Sequence, residues 1–363
     1  MLFRSSTTIE GKVTKETVSA DDEVISFTHY DGSRYQRMLY TWNMTAGTDW
    51  SADASYAAEN VDSTTLYNYG EGRYLLSSLS VRGKIEMYAD LTENDAVLSF
   101  TRYDASRFQK MMYTWAMTRN TSYDASEEYS GEAVMETTLY TYAGYYLKEN
   151  ITVLGRSEGY ADLITLDGEG EVTSFKNVTS YSRYDETRNQ LLEYTWKMAP
   201  YTMYESSSAY SADDVVYSTV YSYNSARYTD WSMDISGKKL SGEPAINDDV
   251  RAFTKYNGDR RQKAVYTWNM RPGTLYALPM ATNFAPALVQ TSILYAYNEK
   301  GYLTSSVTVL GRSYAPAAGD MVREFIRYDG TSDQKTVFSY YLNPGTVISA
   351  GEAVSLAGGV SPF

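Results

Sequence analysis

The chain has 363 residues, of which 37 are tyrosine, one is histidine and none is cysteine. Without cysteine it holds no disulfide, iron–sulfur cluster or thiolate zinc site, and a lone histidine cannot assemble a His-based metal centre. A formal charge of −13 disfavours nucleic acid and anionic membrane as partners, since both are held by clustered Lys and Arg.

The N-terminus, Met1-Leu2-Phe3-Arg4, lacks the apolar run of a signal peptide. No stretch approaches the ~18 apolar residues of a spanning helix, so no membrane insertion is expected. Residues 1–23 read as the closing strand of a repeat, because Gly11-Lys12 stands 72 residues before Gly83-Lys84.

From Val24 a full unit can be followed. Val24 to Tyr30 alternates apolar and polar residues, as a half-buried strand does. Asp31-Gly32-Ser33 then supplies a tight turn, Asp accepting from nearby backbone N–H groups and Gly allowing positive φ. In the next strand Met38, Tyr40, Trp42 and Met44 share one face and Arg37, Leu39, Thr41 and Asn43 the other. Thr45 to Ser63 reads as a loop. A second hairpin starts at Thr65, carries Tyr67 and Tyr69, and ends at Gly83-Lys84, where the Gly is a turn position. Ile85 to Leu91 is expected to be a last short strand.

This unit recurs. Tyr-Thr-Trp-x-Met is centred on Trp42, Trp115, Trp196 and Trp268, each Trp lying six residues after a Gln and twelve after a Tyr. A fifth copy has Tyr340 in place of Trp. The anchors Tyr30, Tyr103, Tyr184, Tyr256 and Tyr328 are 73, 81, 72 and 72 residues apart, and an insertion at Asp167–Glu171 accounts for the one long spacing. A fixed long period means one structural unit used repeatedly. The division is 1–23, then repeats at 24–96, 97–171, 172–249 and 250–321, and a partial repeat at 322–363. The expected fold is all-β: five tandem antiparallel β units of about 73 residues, forming either a β-repeat array or a closed propeller-like ring. Strand parity makes Tyr40, Trp42, Tyr113, Trp115, Tyr194, Trp196, Tyr266, Trp268, Phe338 and Tyr340 the core.

The run Tyr295 to Leu303, Tyr-x-Tyr-x-x-x-Gly-Tyr-Leu, and the Tyr-Asp-x-x-Arg of Tyr30–Arg34, Tyr103–Arg107 and Tyr184–Arg188 resemble YD repeats of the Rhs type. The resemblance implies tandem antiparallel hairpins that spiral into a shell, and a secreted or surface protein. It carries over no active site.

No catalytic constellation stands out from the repeat background. His29 occupies the place of Arg102, Arg183, Lys255 and Arg327 and reads as an ordinary strand residue. Asp31, Asp104, Asp185 and Asp329, with Asn257 in the fourth unit, precede the turns and read as turn caps. No Asp-x-Asp-x-Asp-Gly spacing suggests calcium, so neither metal nor cofactor is expected. Arg34, Arg107, Arg188 and Arg260 are placed to pair with those acids or stack on tyrosine, and Ser332 breaks the pattern. The loop residues Tyr56, Tyr123, Tyr129, Tyr204 and Tyr210 are expected to be exposed and are the binding-surface candidates.

The expected function is a non-enzymatic structural repeat protein, an extracellular or cell-surface filament or scaffold subunit. Its partner is itself, as a homo-oligomer or polymer, the strands at its two ends complementing each other. The alternative is a multivalent, lectin-like propeller module with glycans as partners.

Overall fold

In the computed structural model the alternation read from the sequence becomes a meander of antiparallel strands. The structure describes residues 5–9, 18–20, 22–45, 47–51, 54–70, 73–166, 172–205, 210–240, 244–259, 261–277, 284–298, 301–330 and 336–349. They fall into two compact units, one within Met1–Tyr181 and Pro200–Ser208, the other within Ser182–Ala199 and Ala209–Phe363.

The first unit begins with β1 (Ser5–Ile9), β2 (Val24–Tyr30), β3 (Met38–Met44), β4 (Val61–Tyr69) and β5 (Leu75–Arg82). It continues with β6 (Ala96–Tyr103), β7 (Met111–Ser122), β8 (Val134–Ala143) and β9 (Tyr146–Leu154). Each strand pairs antiparallel with the next. A separate hairpin, β10 (Ile164–Leu166) with β11 (Val172–Phe175), flanks the insertion; the insertion itself, Asp167–Glu171, lies outside the described residues. β12 (Val178–Tyr184) pairs with β9, and the boundary between the units falls inside it.

The second unit holds β13 (Leu192–Met198), β14 (Val215–Tyr223), β15 (Thr229–Ser236), β16 (Val250–Tyr256) and β17 (Ala264–Met270). It ends with β18 (Val289–Tyr297), β19 (Leu303–Leu310), β20 (Val322–Tyr328) and β21 (Thr336–Tyr341), again paired antiparallel in chain order. The strand pairings make a 19-stranded antiparallel sheet. Among the described residues it is not closed. Among the described residues the helical turns are short 3-10 segments such as Ala58–Asn60 and Tyr88–Asp90, and no helix is long and apolar enough to cross a membrane.

Pleating explains which residues are buried. The face carrying Tyr40, Trp42 and Met44 is packed with Val24, Phe27 and Leu66. Ladder register shifts by one residue immediately before Met44, Met117, Met198 and Met270. Such bulges bend the strand end and re-aim its last side chain. The cover over this face comes from the chain's own connections: Tyr56 is buried in the same cluster, and Ile85, Tyr88 and Leu91 pack against it. Ile85 to Leu91 is therefore a strap containing a 3-10 turn, where a short strand was expected. A segment that must cross a pleated face to cover it cannot also pair along its edge.

The expected core residues are buried at Tyr40, Trp42, Tyr113, Trp115, Tyr194, Trp196, Tyr266 and Trp268. The fifth copy differs. Phe338 is half-buried and Tyr340 is 42% exposed, because among the described residues no strap crosses β21.

Candidate functional site

Each repeat is closed by the same clip, and it explains the recurrent Gly-basic pair. Gly83, Gly155, Gly237 and Gly311 take positive φ, between 73° and 80°, which frees the chain to leave the strand and turn over the sheet. A hydroxyl with no exposure at Thr64, Thr137, Ser218 or Ser292 donates to that glycine's carbonyl at 2.6–2.7 Å. The same oxygen accepts the N–H of Ile85, Ser157, Lys239 or Ser313 at 2.8–3.0 Å. The indole N–H of Trp42, Trp115, Trp196 or Trp268 then donates to the carbonyl of that same residue at 2.6–2.9 Å.

The basic residue of the pair lies over the indole face. Lys84 Nζ is 4.5 Å from the Trp42 ring centroid and Lys238 Nζ 4.8 Å from that of Trp196. Arg156 and Arg312 lie over Trp115 and Trp268 at 4.9 and 5.7 Å. The cation also ties down the loop that follows the Trp strand. Lys84 donates to the Tyr56 carbonyl at 3.0 Å, Lys238 to that of Tyr210 and Arg312 to that of Phe284. The indole faces are thus occupied by the chain's own cations.

The loop tyrosines are a correction. Tyr56, Tyr129, Tyr204 and Tyr210 are 2–7% exposed, and Tyr123 is half-buried. Tyr56, Tyr129 and Tyr210 stand edge-on to Trp42, Trp115 and Trp196, at 81–87°. Tyr204 packs on Tyr160 with centroids 6.0 Å apart. Their offset of fourteen residues from each Trp is a signal that would have marked the first three as core. Burial also pushes the phenols of Tyr40, Tyr113 and Tyr266 up to about 12, so they stay neutral packing groups.

The turn acids cap, and of the two roles expected for Arg34 it takes the stack on tyrosine. Asp31 Oδ1 accepts the N–H of Ser33 and Arg37 at 2.9 and 3.2 Å, and Oδ2 pairs with Arg37 Nε at 2.7 Å. The ion-pair partner is Arg37, the residue immediately before β3, and Arg34 stacks on Tyr35 at 4.7 Å. Asp104, Asp185 and Asn257 hold equivalent backbone N–H groups. Arg107 lies over Phe108; Arg260 and Ser332 lie outside the described residues. The first four turns each hold two left-handed positions, and the described part of the fifth holds the first of them. One follows the acid, at Gly32, Ala105, Glu186, Gly258 and Gly330; the other is the spacing Gln, at Gln36, Gln109, Gln190 and Gln262 with φ of 47–49°.

His29 stacks on Tyr40 with centroids 5.2 Å apart. Among the described residues no group of three or more His, Asp or Glu side chains is arranged to hold a metal ion.

Two clefts lie at equivalent repeat positions, one in each unit, where the strap leaves the sheet. That in the first unit is about 200 Å³ and is lined by Met112, Leu139, Tyr140 and Tyr160 among others. That in the second is about 190 Å³, with Val265, Leu294, Tyr295 and Pro316 at the same four places.

No protein-family model matches the sequence, and no curated protein matches it. Among solved structures, a crystal structure of TcdB2-TccC3-TEV aligns over 95% of this chain and 19% of its own, at 9% identity and a TM-score of 0.22. A Photorhabdus luminescens Tc holotoxin pore aligns over 97% of this chain and 20% of its own, at 14% identity and the same TM-score of 0.22. The likeness is loose. The chain spans about a fifth of the length of these matches, and at that TM-score they carry no argument about its activity.

Proposed function

We propose that the protein is a non-enzymatic repeat scaffold, extracellular or on a cell surface, whose copies associate through the edge of β21. The observation behind this reading is the state of that strand. Among the described residues it pairs with β20 alone, and it presents Val337, Tyr340 and Tyr341 at 60%, 42% and 84% exposure. Its counterparts β3, β7 and β17 each carry a further antiparallel strand on the other side. An exposed, apolar strand edge is a template for another strand. A repeat whose conserved chemistry goes into clips and caps supports a surface-building role over a single catalytic pocket. The test is light scattering of the full chain over a range of concentrations, beside a variant carrying Val337→Lys and Tyr341→Lys. Association in the parent and its loss in the variant, with unchanged strand circular dichroism, is expected. A strictly monomeric parent at high concentration overturns the reading.

The equivalent clefts favour a second reading, a multivalent binding module in which weak sites add through avidity. Glycans were the expected ligand class for such a module. A glycan array probed with the monomeric protein tests it, and no saturable binding would exclude it.

A further inference from the structure

The two clefts differ in the strap residue that lines them, Tyr160 in the first unit and Pro316 in the second. The strap residue four places after the Gly-basic cation's position is Tyr88 after Lys84, Tyr160 after Arg156 and Pro316 after Arg312. The Tyr160 hydroxyl accepts a hydrogen bond from Thr141 Oγ1 at 2.9 Å. The Tyr88 hydroxyl is buried near Ser77 without hydrogen-bond geometry. Each phenol therefore lies under its strap against the sheet. In the fourth repeat the places of Thr141 and Ser77 are taken by Ala296 and Ser305, and Pro316 brings no ring. Ala296, Ser305 and Val307 line the cleft of about 190 Å³ instead. Ser305 is 1% exposed, and its Oγ has no hydrogen-bond partner. In the third repeat the position of Ser305 holds Trp231, whose own ring packs 6.1 Å from Phe253.

We propose that the cleft between Pro316 and Ser305 is a binding site for a phenolic ring, supplied by a ligand where two sibling repeats supply their own tyrosine. The size is suitable, since an apolar cavity of ~150 Å³ takes up a benzene ring. The chemistry of the lining is selective. Leu294, Val307 and Pro316 offer carbon, and Ser305 offers one hydroxyl that can donate to or accept from one phenolic oxygen. The rest of the lining, Tyr295 and Tyr314 apart, is carbon-rich, so a pyranose would bring more hydroxyls than it can pair, and each buried unpaired group is penalised. The site stands independently of the scaffold reading, because it lies on the strapped face of β18 and β19, away from β21.

The test is titration calorimetry of the full chain with p-cresol, N-acetyl-tyrosinamide, toluene and methyl glucoside. Saturable p-cresol binding, tighter than toluene by about fivefold to tenfold and reduced by a similar factor in Ser305→Ala, is expected from one buried hydrogen bond. Pro316→Tyr should abolish binding and raise the thermal midpoint, since it restores the ring of the siblings. Should that variant fail to fold, Val307→Phe fills the same space and should abolish binding too. Binding of N-acetyl-tyrosinamide as well as p-cresol identifies a tyrosyl side chain of a partner as an acceptable source; binding of p-cresol alone identifies a free phenol. The proposal is overturned if p-cresol fails to saturate, if it binds no better than toluene, if both filling variants leave binding unchanged, or if methyl glucoside displaces it.

Discussion

The Trp115 indole N–H donates to the Ser157 carbonyl oxygen at 2.7 Å, across 42 residues of chain. Trp115 and Ser157 are 1% and 2% exposed, so water cannot replace either partner. The bond fastens the strap of the second repeat to its sheet, and the Arg156 guanidinium lies over the face of the same indole.

Trp115→Phe keeps a ring on the sheet and removes the donor. Leaving the buried Ser157 carbonyl unpaired should cost about 1–3 kcal/mol. Trp115→Ala also opens a cavity and should cost about 3–5 kcal/mol. Urea unfolding midpoints of the two variants check this, and a neutral Trp115→Phe would remove the indole bond from the account of stability.

The hydroxyl of the clip makes a sharper comparison. Thr137 Oγ1 serves the Gly155 carbonyl and the Ser157 N–H at once, so Thr137→Val strands two buried groups and should cost at least about 2 kcal/mol. Thr137→Ser should be close to neutral, because Ser218 and Ser292 perform the same task in their repeats. A neutral Thr137→Val would remove the hydroxyl from the account, and equal losses in the two variants would mean that the methyl group matters as much as the hydroxyl.

The spacing Gln is strained backbone in the first four turns, and its replacement by Gly separates the backbone from the side chain. Gln109 takes φ of 48°, so Gln109→Gly should stabilise by up to about 1 kcal/mol. Gln262 has the same backbone, but its Oε1 accepts the Thr229 N–H at 3.1 Å. Gln262→Gly should therefore lose what it gains or more. Thermal midpoints of the pair decide this, and a Gln109→Gly variant less stable than its parent would rule out the strain argument.

The face of each strand was legible in the sequence because side chains alternate with a period that nothing else in the chain imitates. Tyr40, Trp42 and Met44 could be placed on one side from parity alone. What covers that side was not legible. Tyr56 and Tyr129 sit in polar, irregular loops, and only the folded-back path of those loops buries them. Spacing left two roles open for Arg34, and only the fold shows that it stacks on Tyr35 while Arg37, six residues from Asp31 across the hairpin, makes the ion pair. The cleft lined by Ser305 and Pro316 depends on what is missing between them, and a periodic pattern records only what is present.

Asp31 gives a pH dependence whose sign can be worked out. Burial alone would raise its carboxyl, and the hydrogen bond from Arg37, with those at Ser33, outweighs it and holds the group at about 2. In the unfolded chain an aspartate titrates at about 3.9. A depressed folded value means that the carboxylate stabilises the native state fully above the unfolded value and ceases to do so as pH falls through the folded one. The window is therefore from about pH 4 down to about pH 2. Asp31→Asn should keep the backbone cap, because Asn257 holds the Asp259 and Lys263 N–H groups at 3.4 and 3.1 Å in the fourth repeat. It should lose only the ion pair, less than about 1 kcal/mol once solvent screening is counted, Arg37 being partly exposed. Denaturation of parent and variant at about pH 6 and about pH 2.5 should show a stability gap at the higher pH that narrows at the lower. A gap that stays constant, or widens in acid, would mean that the Asp31–Arg37 pair is not its source.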